Sequence, residues 1–253
     1  MNGSPPQSCP VKLVAVASGK GGVGKSTVSL GLARALVRRG RTVGLLDADV
    51  YGPDIPLMLG LKQTRELRRW ELGRNPRFGR IELEPVEVDG LKVMSVGFLL
   101  AEPQMFAMPA MLASFVGDQL VKGVRWGALD YLIIDLPPGT ADLQQHIFAT
   151  VMLAGAIVVV GPQDAAHLDA RKIVSLLGDS NVRVIGAVEN MRGFRCPHCG
   201  ELTDVFPPVA DHRSLLGEVE LLVSIPLNPA FARIDGIPPQ FEELAARVEE
   251  RLA

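Results

Sequence analysis

Gly19-Lys20-Gly21-Gly22-Val23-Gly24-Lys25-Ser26-Thr27 follows directly on the apolar run Val11 to Ala17 and contains the spacing G-x-x-x-x-G-K-[ST]. Glycines at these positions let a backbone wrap an anion so that successive N–H groups point inward, and a following helix adds the positive end of its dipole. The apolar run before the loop and the helical pattern after it supply the context this motif needs. The loop is therefore expected to hold nucleotide phosphates. Lys25 would reach the β- and γ-phosphates, and the Ser26 hydroxyl would complete a magnesium shell. Lys20 does not belong to the plain pattern: it places a second ammonium near the first, which repels it unless further phosphate charge lies between them.

Beyond the loop, apolar runs recur at Thr42 to Asp47, Leu91 to Val96, Tyr131 to Asp135, Ala156 to Val160, Val182 to Glu189 and Leu221 to Ile225. Most are continuous rather than alternating, as in strands covered on both faces. Helical patterns lie between several of them: Ser26 to Arg39 before Gly40, Pro109 to Lys122, and Leu168 to Leu177 before Gly178. This alternation predicts an α/β fold, three-layered and doubly wound, with a mostly parallel sheet. No repeat or low-complexity linker divides the chain. Residues 11–253 are read as a single P-loop domain behind a flexible N-terminal tail, residues 1–10.

The chain has 253 residues, 47% hydrophobic and 21% charged, with a formal net charge of -2. Near-neutral charge gives no overall drive toward nucleic acid or an anionic membrane. Met1 to Ser8 is too polar for a signal peptide, and no apolar run approaches the length of a membrane span. A soluble cytoplasmic protein is expected. The basic stretch Lys62 to Arg80 reads as a solvated insertion rather than a nucleic-acid surface. The C-terminal segment Gln240 to Ala253 puts Phe241, Leu244, Ala245, Val248 and Leu252 on one helical face. Its other face carries Glu242, Glu243, Glu249 and Glu250, so it should pack on the body rather than on a bilayer.

Acids close two of the apolar runs. Asp47 and Asp49 stand two residues apart at the carboxyl end of the second strand, where ligands bind in open α/β sheets. Asp49, farther into the loop, is the candidate to position or deprotonate an attacking water, and Asp47 to orient the metal's water shell. Asp135 ends the strand Tyr131 to Asp135 and is the candidate acid for magnesium, held through water because Mg²⁺ dehydrates reluctantly. Leu136-Pro137-Pro138-Gly139-Thr140-Ala141-Asp142 follows, stiff through its prolines and hinged at Gly139, and resembles a segment that senses the γ-phosphate. Asn190, at the end of the sixth strand, offers an amide able to pair with a base edge. His146, His167 and His212 have no catalytic or metal-binding spacing.

Together the lysine-containing loop, Leu46 to Pro53 with Ile55-Pro56, Asp135 to Thr140, Pro162-Gln163, Leu168 to Lys172, and Val188-Glu189-Asn190-Met191 before Cys196-Pro197-His198-Cys199-Gly200 resemble the Mrp/ApbC iron–sulfur cluster carriers. These form a branch of the "deviant Walker A" ATPases that includes MinD and ParA. The resemblance runs from about Val11 to Pro229. It implies a homodimeric, magnesium-dependent ATPase of slow turnover, in which Lys20 reaches the phosphates of the opposite subunit. It further implies a [4Fe–4S] cluster shared between subunits through Cys196 and Cys199, with apo-proteins and cluster assembly factors as partners. The alternative is a ParA/MinD-like positioning or partitioning switch whose cysteine pair binds zinc.

Two thiolates per chain cannot close a four-ligand site, but two copies across a two-fold axis supply four, enough for one [4Fe–4S] cluster or one tetrahedral zinc. A redox disulfide is the third possibility for this spacing. His198 reads as a spacer, and Cys9 as an incidental thiol. The chain departs from the family's usual pattern at Phe106 to Pro109, at Ala141 and at Phe206 to Asp211. These departures bear on dimer geometry, turnover and client choice rather than on nucleotide binding.

Overall fold

The computed structural model describes residues 10–50, 52–61, 83–98, 121, 123–139, 142–196, 198–206, 216–228 and 238–253. Tail residues 1–9 with Cys9, the basic stretch 62–80, the helical pattern 109–122 apart from Val121, Thr140, Ala141, His212 and most of the departing segments lie outside them.

The described elements are β1 (Lys12–Ser18), α1 (Lys25–Arg38), β2 (Val43–Asp47), α2 (Ile55–Met58), β3 (Val86–Val88), β4 (Leu91–Ser95), β5 (Tyr131–Asp135), α3 (Asp142–Thr150), β6 (Gly155–Val160), α4 (Asp164–Asp179), β7 (Val184–Arg195), β8 (Leu202–Thr203), β9 (Leu221–Leu227) and α5 (Pro239–Arg251). All seven expected strands are present. With β3 and β8 they form one nine-stranded sheet of order β3-β4-β2-β5-β1-β6-β7-β8, in which β9 also pairs with β7. Only the pairings of β3 with β4 and of β8 with β7 are antiparallel.

The continuous apolar runs split between two cores, as period-two geometry requires. Val14, Val16 and Leu45 face the side covered by α1 and α5, where Leu32, Phe241, Leu244 and Val248 are buried. Ala15, Ala17 and Leu46 face the other side, covered by α3 and α4 through Ile147, Phe148, Ile173 and Leu177. Each large apolar side chain so buried contributes about 1.5–3 kcal/mol. This is the expected three-layer, doubly wound arrangement, with the C-terminal helix packed on the body. Among the described residues no helix is long and apolar enough to cross a membrane.

Two differences from the expected elements matter for the site. β7 continues past Glu189 to Arg195 because Phe194 and Arg195 pair with Thr203 and Leu202 of β8. Polar residues thus extend the strand through hydrogen bonding that an apolar run does not reveal. Helix α3 begins directly after the proline segment, and its own pattern, Leu143, Ile147 and Phe148 buried, accounts for it.

Candidate functional site

The carboxyl ends of β1, β2 and β5 come together because β5 pairs with both other strands. Asp135 is in register with Val16 on one side and with Asp47 on the other. The phosphate loop leaves β1 at Ser18 and enters α1 at Lys25, turning through Gly22 and Gly24, whose φ angles of 80° and 81° lie in the left-handed region. Ser18 Oγ donates to the Lys20 carbonyl at 3.1 Å, while Lys20 itself is exposed.

Asp135 is fully buried and gathers the first turn of α1. Lys25 Nζ and Ser29 Oγ donate to its Oδ1 at 3.0 and 2.7 Å, and Ser26 Oγ donates to Oδ2 at 2.7 Å. Lys25 Nζ also lies 3.5 Å from Asp49 Oδ2. Burial opposes the charge on Lys25, but the neighbouring carboxylates of Asp135 and Asp49 outweigh it and hold its pKa above the usual lysine value. The predicted trio Lys25, Ser26 and Asp135 is thus assembled. Its hard oxygen donors, the Ser26 hydroxyl and the Asp135 carboxylate, suit Mg²⁺. Ser29 stands one helical turn after Lys25, so the same-face rule for a helix could have revealed it.

Asp47 plays a bracing part in this arrangement. Its Oδ1 accepts the Asp49 N–H at 3.2 Å and its Oδ2 the Ser95 hydroxyl at 2.8 Å. Burial, reinforced by the charges of Asp135 and Asp49, pushes its carboxyl well above the usual carboxylate range despite Ser95 and Lys25. Asp49, almost buried, accepts the Gly52 N–H at 3.3 Å and is presented toward Lys25. Ser95 was invisible in sequence reading because it meets Asp47 only through the β2–β4 register.

The proline segment leaves β5 beside the loop. Gly139, with φ of 79°, donates its N–H to the Ser18 carbonyl at 3.0 Å, and buried Gln144 of α3 donates Nε2 to the Pro137 carbonyl. Asn190 of β7 donates Nδ2 to the Val23 carbonyl at 2.8 Å, bracing the phosphate loop from behind.

At the far end of β7, Cys196 and Cys199 occupy the turn toward β8. The Cys196 N–H donates to the Glu201 carbonyl, and the Gly200 N–H returns to the Cys196 carbonyl, both at 2.9 Å. Backbone N–H groups of Cys199 and His198, with the Cys199 thiol, donate to the Cys196 sulfur and lower its pKa below the ordinary thiol value. Cys196 is half-buried and Cys199 exposed. Leu202, Val205 and Phe206 are exposed close by in the chain. Among the described residues no three His, Cys, Asp or Glu side chains form a metal-holding group.

A family model described as ParA, NUBPL iron-transfer P-loop NTPase, matches residues 11–244. The chain belongs to this family. An iron-sulfur cluster carrier protein of Aquifex aeolicus is 42% identical over 225 residues, covering 87% of the chain but only 58% of the relative's length. Another of that name, from Methanocaldococcus jannaschii, is 37% identical over 257 residues, covering 94% of the chain and 84% of the relative. A solved nucleotide-binding protein of Archaeoglobus fulgidus in complex with ADP superposes with a TM-score of 0.72. It is 34% identical, with 91% of this chain and 90% of that one covered. The expected family and the P-loop NTPase fold are therefore established.

Proposed function

We propose that the protein is an ATP-hydrolysing iron–sulfur cluster carrier that holds a [4Fe–4S] cluster between two copies of itself and passes it to apo-proteins. The observation that carries this reading is the Cys196–Cys199 knuckle. A half-buried thiol and an exposed one share a single surface turn, in a chain whose relatives are named iron–sulfur cluster carriers. Two thiols satisfy half of a four-cysteine cluster. A second copy supplies the rest, and the exposed Leu202, Val205 and Phe206 give the two copies apolar surface to cover.

In the nucleotide site, the backbone of Gly19 to Thr27 cradles the phosphates, and Lys25 exchanges its carboxylate partners for phosphate oxygens. Ser26 and Asp135 would hold magnesium, which when bound would supply positive charge to the phosphate oxygens. Asp49 orients a water and accepts its proton as the water oxygen bonds to the γ-phosphorus and the bond to the bridging oxygen breaks, releasing ADP and phosphate. Lys20 of one copy stabilises phosphate charge on the other. Asp47 holds Asp49 in place and would orient the water shell of a bound metal. Asn190 braces the loop with its amide nitrogen and presents its amide to the base. The partners are apo iron–sulfur proteins and assembly factors in a cytoplasmic setting, without membrane or nucleic acid.

Incubating cluster-loaded protein anaerobically with an apo-enzyme that needs a [4Fe–4S] cluster tests the reading. Activity regained by the acceptor in proportion to cluster lost by the carrier supports it; an acceptor left inactive while the carrier keeps its cluster counts against it.

A further inference from the structure

Strand β7 reaches from the phosphate loop to the cysteines. At its nucleotide end the contact is tight. A Cβ built on Gly24 would meet Asn190 Nδ2 at 2.1 Å and Met191 Cε at 3.5 Å, so a shift of Val23 and Gly24 toward β7 presses on the Asn190 and Met191 side chains, and Asn190 is hydrogen-bonded to Val23 itself. Met191 and Gly193 adopt φ angles of 62° and 66°. A left-handed conformation is uncommon for a residue with a side chain, and these two bends flank Arg192.

Arg192 spans the same distance through side chains. Its Nη1 donates to Glu189 Oε1 at 3.2 Å, and its Nε lies 3.3 Å from Asp204 Oδ1, on the return limb of the cysteine hairpin. Glu189 is buried, its Oε2 accepts Ser224 Oγ of β9 at 3.0 Å, and it directly precedes Asn190, so the inner anchor of Arg192 adjoins the residue bonded to the phosphate loop. The outer anchor belongs to the hairpin. The two limbs also press together at Gly193, where a built Cβ would meet Leu202 Cδ1 and the Thr203 carbonyl at 3.2 Å.

We propose that Arg192 is a positioning residue that ties the Cys196–Cys199 knuckle to the phosphate loop, so that nucleotide binding changes the accessibility of the two thiols. Phosphate entering the loop draws its N–H groups inward and shifts Val23 and Gly24 against Asn190 and Met191. The backbone route to the cysteines then passes through two bends that can absorb the shift. The route Glu189–Arg192–Asp204 bypasses them and carries it to the hairpin. The inference rests on the nucleotide reading above, but not on which metal the thiols hold.

The test is thiol labelling of metal-free protein with a maleimide. A Cys9→Ser background leaves Cys196 and Cys199 as the remaining thiols. Adding magnesium and a non-hydrolysable ATP analogue is expected to change the labelling rate by about fivefold or more. In Arg192→Ala the two rates should coincide while the analogue's affinity stays within about threefold. Asp204→Asn, altering an exposed side chain, should behave likewise, with sedimentation velocity confirming equal dimer fractions. A wild type whose labelling ignores the analogue, or variants that keep the full response, overturns the proposal. Iron and sulfide content after reconstitution reads the carrier function separately. Nucleotide-sensitive thiols without cluster would spare Arg192 and remove the carrier reading, and cluster with insensitive thiols would do the reverse.

Discussion

Lys25 Nζ and Asp135 Oδ1 form an ion pair of 3.0 Å, with Asp135 fully buried and Lys25 nearly so. Such a pair is costly to break from one side, because the remaining charge stays buried. Asp135→Ala leaves Lys25, Ser26 and Ser29 without their shared acceptor, and the loss is expected to be about 3 kcal/mol, reduced where Asp49 takes over. Denaturant unfolding measures it. Asp135→Asn should fold better yet lose magnesium-dependent nucleotide affinity, as read by calorimetry with and without the metal.

In the proposed hydrolysis Asp49 accepts the proton of the attacking water and does not hold nucleotide. Asp49→Asn should lower kcat by about 100-fold or more, the usual worth of a general base, with ATP affinity within a few fold. A matching fall in affinity would move Asp49 from chemistry to binding.

Lys20 is exposed on the loop, where a second chain can receive it. Lys20→Ala should bind nucleotide as wild type but lose the rise in turnover with protein concentration that the proposed dimer predicts. Turnover per chain measured across a dilution series decides this, and an unchanged rise rejects the cross-subunit role.

How much of this site could be read from the chain depended on how local each signal was. Lys25 and Ser26 lie within one motif, and Asp135 closes a run whose bounds, Tyr131 to Asp135, match β5. Partnerships that need the strand order were not legible. Ser95 meets Asp47 across β4 and β2, and Asn190 reaches Val23 across the fold. The extension of β7 to Arg195 was hidden for a related reason. Its last residues are polar, and they are strand because β8 offers backbone partners. Helix α3 was legible in principle, through Leu143, Ile147 and Phe148, but the pattern is short and none of the expected helices covers it.

A surface contact gives the pH dependence of stability an acid limb. The Asp130 carboxylate accepts Thr42 N–H at 2.7 Å and Thr42 Oγ1–H at 2.8 Å, which lower its pKa below the ordinary 3.8. A carboxyl depressed in the folded state adds stability that is complete above its unfolded value and is lost as pH falls through the folded value. Asp130→Asn should therefore lower Tm by about a degree or two near neutral pH, a small effect because the site is exposed. The gap to wild type should close below about pH 4. A gap constant down to pH 2 would assign the effect to something other than ionisation.

The most direct test is anaerobic reconstitution followed by iron, acid-labile sulfide and zinc analysis of wild type and of Cys196→Ala/Cys199→Ala, with the dimer fraction measured on the same samples. The expected result is one [4Fe–4S] cluster per two wild-type chains, with a visible spectrum to match, and none in the double variant. Equal iron and sulfide in both forms, or zinc alone in the wild type, would contradict the cluster-carrier function.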